Sequence, residues 1–335
     1  MQLRNCVLLL ISSFNLLSQA QTIISPGDVS GSWPISGSPY LIQGDILIPA
    51  DSTLTIEPGV TVEFQGHYTL NVQGRLLAIG AENDTILFTV SDTSGFSNPD
   101  TSLGGWNSIR FIDTPSNNDS SKFNFCRFQY GKAVSDFWHS NAGGALCIIQ
   151  FGKINISHCL FIHNSAGGLM SEAPAGGAIH LAWSNVKLSE NTFRYNRAFT
   201  GGAIQFHDSD PQFSNNIFTN NFAQDGGGIA FGGGSNPRFT NDQITYNRAQ
   251  NRGGGIIAFD STAILENVEI TQNKAWWGGG IGVYNCEVFL DNCLVANNRA
   301  ANLGGGIHAD FSKLHLRETT ILRDTCDSGS GGIHA

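Results

Sequence analysis

The chain has 335 residues, enough for a large core or for one long repetitive domain. Only 13% of the residues are charged, about half the share of an ordinary globular domain, and the formal net charge is −9. This balance argues against a nucleic-acid-binding protein, and the 40 glycines have no G-x-y period, which excludes collagen.

Residues 1–20 have the pattern of a secretory signal peptide. Arg4 supplies a basic start, "CVLLLI" and "FNLL" supply an apolar stretch, and "SQA" at Ser18–Ala20 fits a cleavage site. No later window approaches about 18 uncharged apolar residues, so we predict no transmembrane helix in the mature chain. The protein is therefore expected to be secreted or displayed at the cell surface.

The next two segments lead into the main domain. Residues 21–35 are predicted to form a linker or an N-terminal strand. Residues 36–122 alternate apolar and polar positions between turn sequences, which indicates N-terminal capping coils with polar loop insertions at 92–105 and 113–121. The alternating apolar positions are Leu54, Ile56, Val60, Val62, Phe64, Leu70, Val72, Leu76 and Ile79.

Residues 123–335 contain a repeat of about 25–26 residues, recognisable by two independent anchors. The first anchor is the apolar residue that follows a glycine pair. The second is the Asn that begins the sequence N-x-A, and a further apolar residue stands three positions before that Asn. One spacing between successive anchors is longer than the others because of an insertion at 167–175. The first anchor is Leu146, Ile179, Ile204, Ile229, Ile256, Ile281, Ile307 and Ile333, and the second is Asn164, Asn196, Asn221, Asn247, Asn273 and Asn298.

A unit of this length made of short strands is not stable alone. Ordering it costs about 1.5 kcal/mol per residue, whereas each buried apolar side chain returns only about 2 kcal/mol. Stacking each unit on its neighbours completes the backbone hydrogen bonds at about 4.8 Å per coil, which predicts an all-β parallel β-helix. The glycine pair would allow a sharp turn, and the Asn would adopt the left-handed conformation at a corner and form an amide ladder. The final "GGIHA", 331–335, matches the start of a coil, so we expect the sequence to be truncated at its C-terminus.

The repeat resembles a known family. "GGAI" at 176–179 and 201–204, with "FIHN", "FRYN" and "FTNN", is similar to the GGAI and FxxN repeats of chlamydial polymorphic membrane proteins, which are adhesins of the outer membrane. It also looks like the wider set of secreted bacterial right-handed parallel β-helix proteins with a pectin-lyase-like fold. The resemblance covers about residues 36–335 and implies a right-handed solenoid. The family includes adhesins, passenger domains and polysaccharide lyases or hydrolases, so it leaves the activity open.

One acidic group is a weak candidate for catalysis. Asp208 and Asp210 lie in "HDSD", and Asp260 falls two coils later in the register of Asp208, about 9.6 Å away. That separation is near the upper limit for an inverting carboxylate pair, and calcium is an alternative ligand for Asp208 and Asp210. Against both, Asp, Ser and Gly are ordinary turn residues. We predict no resident cofactor and no other metal.

Positive charge recurs directly after the ladder Asn. Aromatic residues lie close by in register, and aromatic faces beside cations suit acidic or neutral sugars. The alternative is that these long side chains simply extend into water at a turn. The predicted column contains Arg197, Phe222, Arg248, Lys274 and Arg299, with Lys132 in the same register, and the nearby aromatic residues are Phe199, Trp276 and Trp277.

Six cysteines remain after residue 20, and no pair has C-x-x-C spacing, which argues against a zinc ribbon or a redox motif. Cys126 and Cys159 fall in the same register of consecutive coils. A disulfide and a pair of buried thiols are both compatible with that placement.

These observations favour an exported, non-catalytic β-helix scaffold for adhesion or glycan contact. The rival hypothesis is an extracellular polysaccharide lyase or glycoside hydrolase.

Overall fold

The computed structural model describes residues 21–134, 142–167 and 175–335. The predicted signal peptide and most of the insertion at 167–175 lie outside these ranges. Within them the chain winds into a solenoid, and successive coils stack so that corresponding strands pair in parallel. One short 3-10 helix, Ile35–Gly37, occurs in the described ranges.

Sheet 1 has 12 strands and carries the residues that precede the ladder Asn. Its strands are Thr22–Ile24, Tyr40–Ile42, Thr61–Phe64, Ile86–Val90, Cys126–Gln129, Leu160–Ile162, Thr192–Arg194, Ile217–Thr219, Gln243–Thr245, Glu269–Thr271, Leu294–Ala296 and Thr320–Leu322.

Sheet 2 also has 12 strands and begins after the glycine pairs. Its strands are Gly27–Asp28, Ile46–Ile48, Leu70–Val72, Ile109–Phe111, Leu146–Ile149, Ile179–Ala182, Ile204–His207, Ile229–Gly232, Ile256–Phe259, Ile281–Tyr284, Ile307–Asp310 and Ile333–His334.

Sheet 3 has 11 strands and follows sheet 2 in each coil. Its strands are Gly31–Trp33, Thr53–Ile56, Arg75–Ile79, Ser121–Asn124, Ile154–Ser157, Lys187–Ser189, Gln212–Ser214, Arg238–Thr240, Thr262–Glu266, Glu287–Asp291 and Lys313–Arg317.

A fourth, shorter face lies between the ladder Asn and the glycines, and we call it sheet 4. It consists of a two-stranded and a five-stranded sheet, joined through single bridges at Arg197. Its strands are Lys132–Val134, Ser165–Gly167, Phe222–Asp225, Arg248–Arg252, Lys274–Trp277, Arg299–Leu303 and Thr325–Cys326.

The core is built from columns of like residues, one per coil. Leu146 pairs with Ile179, Ile179 with Ile204, and the same register continues to Ile333. Phe128, Phe161, Phe193 and Phe218 stack ring on ring, with centroids 4.7, 4.7 and 4.8 Å apart. These spacings equal the distance between neighbouring strands, so a repeated side chain meets its own copy in the next coil. The predicted period therefore sets both the backbone pairing and the packing of the core.

The corner that precedes sheet 4 differs from the sequence prediction. The left-handed conformation belongs to the residue before each ladder Asn, for example Tyr195 at φ 56° and Tyr246 at φ 57°, and not to the Asn. Asn196 and Asn247 are instead fully buried. Their amides hydrogen-bond to neighbouring coils, because the buried backbone N–H and C=O groups at this corner require partners.

The two glycines of each pair have different roles. Gly201 has φ 65°, a conformation that side chains with a Cβ adopt at a cost. A Cβ on Gly202 would overlap the carbonyl oxygen of Gly227 in the next coil, so this position needs close backbone approach. The pair therefore gives each coil a sharp turn and direct stacking at the same corner.

The N-terminal coils follow the predicted alternation with one exception. Leu54, Val62 and Leu76 are completely buried, whereas Ile79 is 41% exposed. Side chains alternate between the two faces of a strand, so Ala78 rather than Ile79 shares the inward face with Leu76. Together these features confirm the predicted all-β parallel β-helix.

Candidate functional site

The predicted cations form a column on the outer face of sheet 4. Arg197 pairs in register with Phe222, Phe222 with Arg248, Arg248 with Lys274, and Lys274 with Arg299. The four cationic side chains are exposed, because the intervening residue of each strand is an inward-facing alanine. The chain thus presents four cations from different coils on one face; we call Arg197, Phe222, Arg248, Lys274 and Arg299 the cationic column.

Charge compensation within the cationic column is uneven. Phe222 lies between the coils of Arg197 and Arg248, and both guanidinium groups lie over its ring, with Cζ 5.6 and 6.0 Å from the ring centroid. Arg299 Nη2 is 3.0 Å from Asp327 Oδ2. Arg197, Arg248 and Lys274 form no ion pair with any residue in the described ranges. Phe222 separates two arginines by a full coil and so reduces their mutual repulsion.

Lys132 shares the register of the column but does not extend its exposed surface. Its side chain is fully buried beneath the loop 92–105, and Nζ donates hydrogen bonds to the carbonyl oxygens of Leu103 at 2.7 Å and Gly95 at 3.2 Å. Burial lowers the pKa of Lys132 to about 8. The exposed cationic column therefore begins at Arg197, a limit that the repeat pattern does not reveal because it depends on where the loop folds.

Aromatic side chains lie beside the cations. Phe199 follows Arg197 by two residues and is 40% exposed, and Trp276 follows Lys274 by two residues and is 49% exposed. Trp277 pairs with Arg252 and Leu303, is half-buried, and contacts Trp276 edge to face with ring centroids 6.2 Å apart. Phe199 and Trp276 therefore share the outer face of the column, and Trp277 supports it from the neighbouring position.

A depression of about 190 Å³ lies at the Arg197 end of the column. Arg197, Phe199 and Phe222 contribute to its wall from the solenoid, and Pro99 and Asp100 contribute from the loop 92–105. The other described residues that line it are small or carry amides: Ala166, Gly167, Ala198, Gln224 and Gln250. The column thus ends in a concave site rather than on a flat surface.

The second edge of sheet 4 holds a cation that is already neutralised. Arg252 donates two hydrogen bonds to Asp225, at 2.9 and 3.1 Å, and its guanidinium lies 5.0 Å from the Phe259 ring and 5.5 Å from the Tyr284 ring. The hydrogen bond with Asp225 raises the pKa of Arg252, and burial raises the pKa of Tyr284 to about 12. This cluster ties sheet 4 to sheet 2 and leaves Arg252 without free charge for a ligand.

The candidate acidic residues lie at the corner after sheet 2. Asp208 and Asp260 occupy the left-handed position of their coils, at φ 49° and 47°, with Gly233 at the same position in the coil between them. Asp208 Oδ2 is 2.9 Å from His207 Nδ1, and Asp260 Oδ1 accepts a hydrogen bond from Asn285 at 2.6 Å.

Asp210 also accepts hydrogen bonds from the next coil. Its Oδ1 accepts hydrogen bonds from the backbone N–H and the side-chain amide of Asn236, at 2.6 and 3.3 Å. In the described ranges no group of three His, Cys, Asp or Glu residues is arranged to hold a metal ion. Asp210 and Asp260 thus accept hydrogen bonds from the next coil, and Asp208 lies beside the last residue of its own strand, so each of the three carboxylates has a polar neighbour within the protein.

The ladder asparagines form a continuous hydrogen-bonded column. Asn221 Oδ1 accepts the backbone N–H and the side-chain amide of Asn196, both at 3.0 Å, and Asn221 donates to the carbonyl oxygen of Phe193 at 3.0 Å. The same pattern recurs at Asn164, Asn196, Asn247, Asn273 and Asn298. These residues therefore bind neighbouring coils to each other.

A second ladder occupies the corner between sheets 3 and 1, and the sequence analysis missed it. Asn191 donates to Asn216 Oδ1, and Asn216 donates to Asp242 Oδ1 through its backbone N–H at 2.7 Å and its amide at 2.9 Å. The signal was present in the sequence, since these residues stand five positions before the ladder asparagines, just as Cys159 stands five positions before Asn164. Serines form a similar column at the third corner, where Ser184 donates to Ser209 and Ser209 to Ser235 through backbone N–H groups.

Cys126 and Cys159 stack in consecutive coils as predicted, and both are free thiols. Burial and the neighbouring Cys159 raise the pKa of Cys126 well above its usual range. Cys286 and Cys293 are also buried. The structure therefore favours the second sequence alternative, a pair of buried thiols.

None of the helical structure in the described ranges has the length and apolar character that crossing a bilayer requires.

Comparison with known proteins agrees with the architecture. Protein bark beetle of Drosophila melanogaster is 39% identical over 83 residues, which are 24% of this chain and 3% of that protein, so this chain spans a small fraction of its length. No solved structure matches the chain. The family model described as the right handed beta helix region matches residues 116–248 and 177–335. Because these matches overlap and together cover well over half of the sequence, the chain belongs to the right-handed β-helix family.

Proposed function

We propose that this protein is an exported, non-catalytic β-helix scaffold whose cationic column contacts anionic glycans outside the cell. The observation that carries the proposal is the exposed, uncompensated charge of Arg197, Arg248 and Lys274 on a chain with a formal net charge of −9. Five other arginines of the described ranges pair with a carboxylate: Arg75, Arg238, Arg252, Arg299 and Arg317. The row of cations without an ion pair on one face instead suits an anionic partner.

The form of the column favours an extended partner. Its members come from successive coils, so the row runs along the solenoid axis in steps of about 4.8 Å. The exposed rings of Phe199 and Trp276 lie beside the cations and can pack against the apolar faces of sugar rings. A linear polysaccharide that carries carboxylates or sulfates offers both anions and apolar ring faces along its length.

Export outside the cell is part of the proposal and rests on the sequence of residues 1–20. A glycan-binding face would meet carbohydrate polymers there. Contact of this kind also supports adhesion, because a rigid rod that projects from a surface can engage one polymer through several coils at once.

The test is binding to immobilised hyaluronan, heparin and neutral dextran at low and high salt. We expect the two anionic polymers to bind at low salt and to be released at high salt, because exposed charges are screened. The combined variant Arg197→Gln, Arg248→Gln and Lys274→Gln should weaken binding about tenfold.

The matched control removes the same charge from sheet 3, with Lys122→Gln, Lys187→Gln and Lys313→Gln, and should bind like the unmodified protein. Equal loss in both variants would attribute binding to net charge alone and would contradict the proposal. The same samples are assayed for new sugar ends with and without calcium. Their appearance would favour the rival lyase or hydrolase class.

A further inference from the structure

The two ends of the cationic column have different neighbours. Beyond Lys274, Arg299 continues the exposed row in the next coil. At Arg197, the loop 92–105 covers the next cation in register, Lys132.

The loop is fixed to the solenoid by several independent contacts. Lys132 Nζ donates to two carbonyl oxygens of the loop and lies 5.6 Å from the Phe96 ring, and Phe96 packs edge to face on Tyr130 with centroids 5.3 Å apart. Gly167 lacks a side chain where the loop crosses sheet 4, and a Cβ there would overlap the carbonyl oxygen of Pro99. A polymer lying along the column would therefore meet a wall beside Arg197.

The depression at this wall has the chemistry of a site for one sugar ring. Phe199 offers an exposed aromatic face, Gln224 and Gln250 offer amides, and Arg197 offers a cation. Asp100 supplies a carboxylate on the loop side, which accepts hydrogen bonds from sugar hydroxyls and repels a second anion. The depression thus favours a ring whose charged substituent faces Arg197 and whose free hydroxyls face the loop.

We propose that this depression is a terminal subsite, which receives the end sugar of an anionic polysaccharide whose following sugars lie along the cationic column. The protein then binds chain ends, and it binds the polymer in one direction only. This inference rests on the glycan contact proposed above and adds the position and polarity of the bound chain.

The test uses hyaluronan and heparin fragments from disaccharide to decasaccharide, with free ends or with a bulky fluorophore on either the reducing or the non-reducing end. We expect a fluorophore on one of the two ends to weaken binding at least about tenfold, and the same fluorophore on the other end to have little effect. The hyaluronan and heparin arms distinguish a carboxylated from a sulfated chain.

Two aromatic variants locate the end. Phe199→Ala should weaken fragments of every length by about five- to tenfold, since the end sugar always occupies the depression. Trp276 lies three coils further along, about 14 Å away, so Trp276→Ala should leave the disaccharide unchanged and weaken only longer fragments. Circular dichroism of both variants confirms that the coils are intact.

The possible failures are distinct. Binding that depends on the cations but is insensitive to either capped end, or the same length profile for Phe199→Ala and Trp276→Ala, would overturn the terminal subsite and leave lateral glycan contact in place. Absence of binding by every fragment, or unchanged binding in the triple cation variant, would overturn both the terminal subsite and the proposed function.

Discussion

Asp242 is a carboxylate in a column of asparagines, and its replacement by Asn tests how the ladders stabilise the solenoid. The side chain is fully buried, and its two oxygens accept three N–H groups, two from Asn216 and one from Thr240 at 3.0 Å. In the next coil the same position is Val268, whose side chain has no polar atom and ends the ladder. Despite the three hydrogen bonds, burial raises the pKa of Asp242 from 3.8 to about 6.

The sign and size of the effect follow from that shift. Because the pKa is higher in the folded than in the unfolded state, the folded state is most stable below about pH 4 with respect to this group. It loses stability as the pH rises to about 6. A shift of about two units corresponds to roughly 3 kcal/mol above pH 6. Asp242→Asn removes this penalty but turns an amide toward the Thr240 N–H, which costs about 1 kcal/mol. We expect a net stabilisation of about 2 kcal/mol near neutral pH.

The assay is urea unfolding followed by tryptophan fluorescence between about pH 4 and pH 7. The variant should have the higher midpoint near pH 7, and its midpoint should change less with pH than that of the unmodified protein. Asp28→Asn removes an exposed carboxylate and should leave both quantities unchanged. A variant with a lower midpoint at neutral pH and an unaltered pH dependence would show that Asp242 is held as a stabilising carboxylate, and would refute the reasoning.

Two further expectations concern the other columns. Asn221→Ala leaves the buried backbone N–H and side-chain amide of Asn196 without an acceptor, so it should lower the free energy of unfolding by about 2–5 kcal/mol. The control Asn220→Ala, at the exposed neighbouring position, should lower it by only about 1–2 kcal/mol. Equal urea midpoints for the two variants would contradict the ladder's role. Cys126 and Cys159 should react with a thiol reagent only after unfolding, as measured by peptide mass. Rapid labelling in the folded protein would contradict their burial, and a mass two hydrogens lower would show a disulfide and contradict their assignment as free thiols.

The sequence predicted the parts of this molecule that repeat without variation. The ladder asparagines recur with the same identity, and the residue after each glycine pair is isoleucine in every repeat but the first, where it is Leu146, so both columns followed from the period alone. The second ladder was missed because its column changes chemistry, from Cys159 through Asn216 and Asp242 to Val268. What these positions share is a place in the corner, and that becomes visible only when the coils are aligned in space.

Two other differences have local causes. The sequence predicts the left-handed conformation at the ladder Asn because Asn tolerates it. In the structure the strand of sheet 1 ends at Arg194, Tyr195 adopts the left-handed conformation, and Asn196 turns its amide into the interior. The burial of Lys132 depends on the loop 92–105, which belongs to no repeat. Periodicity fixes which residues share a column, and it carries no information on what an irregular insertion covers.

In the proposed binding mode, the number of coils in the cationic column would set how many sugars of a bound polysaccharide contact the protein, counted from the wall at Arg197. Each repeat contacts only the repeats before and after it, so duplication or loss of one unit would lengthen or shorten the charged face by a fixed increment without altering the remaining coils. A lineage could therefore change the length of polysaccharide that the proposed site holds by changing the number of repeat units in its gene. The chemistry at the wall itself would stay the same.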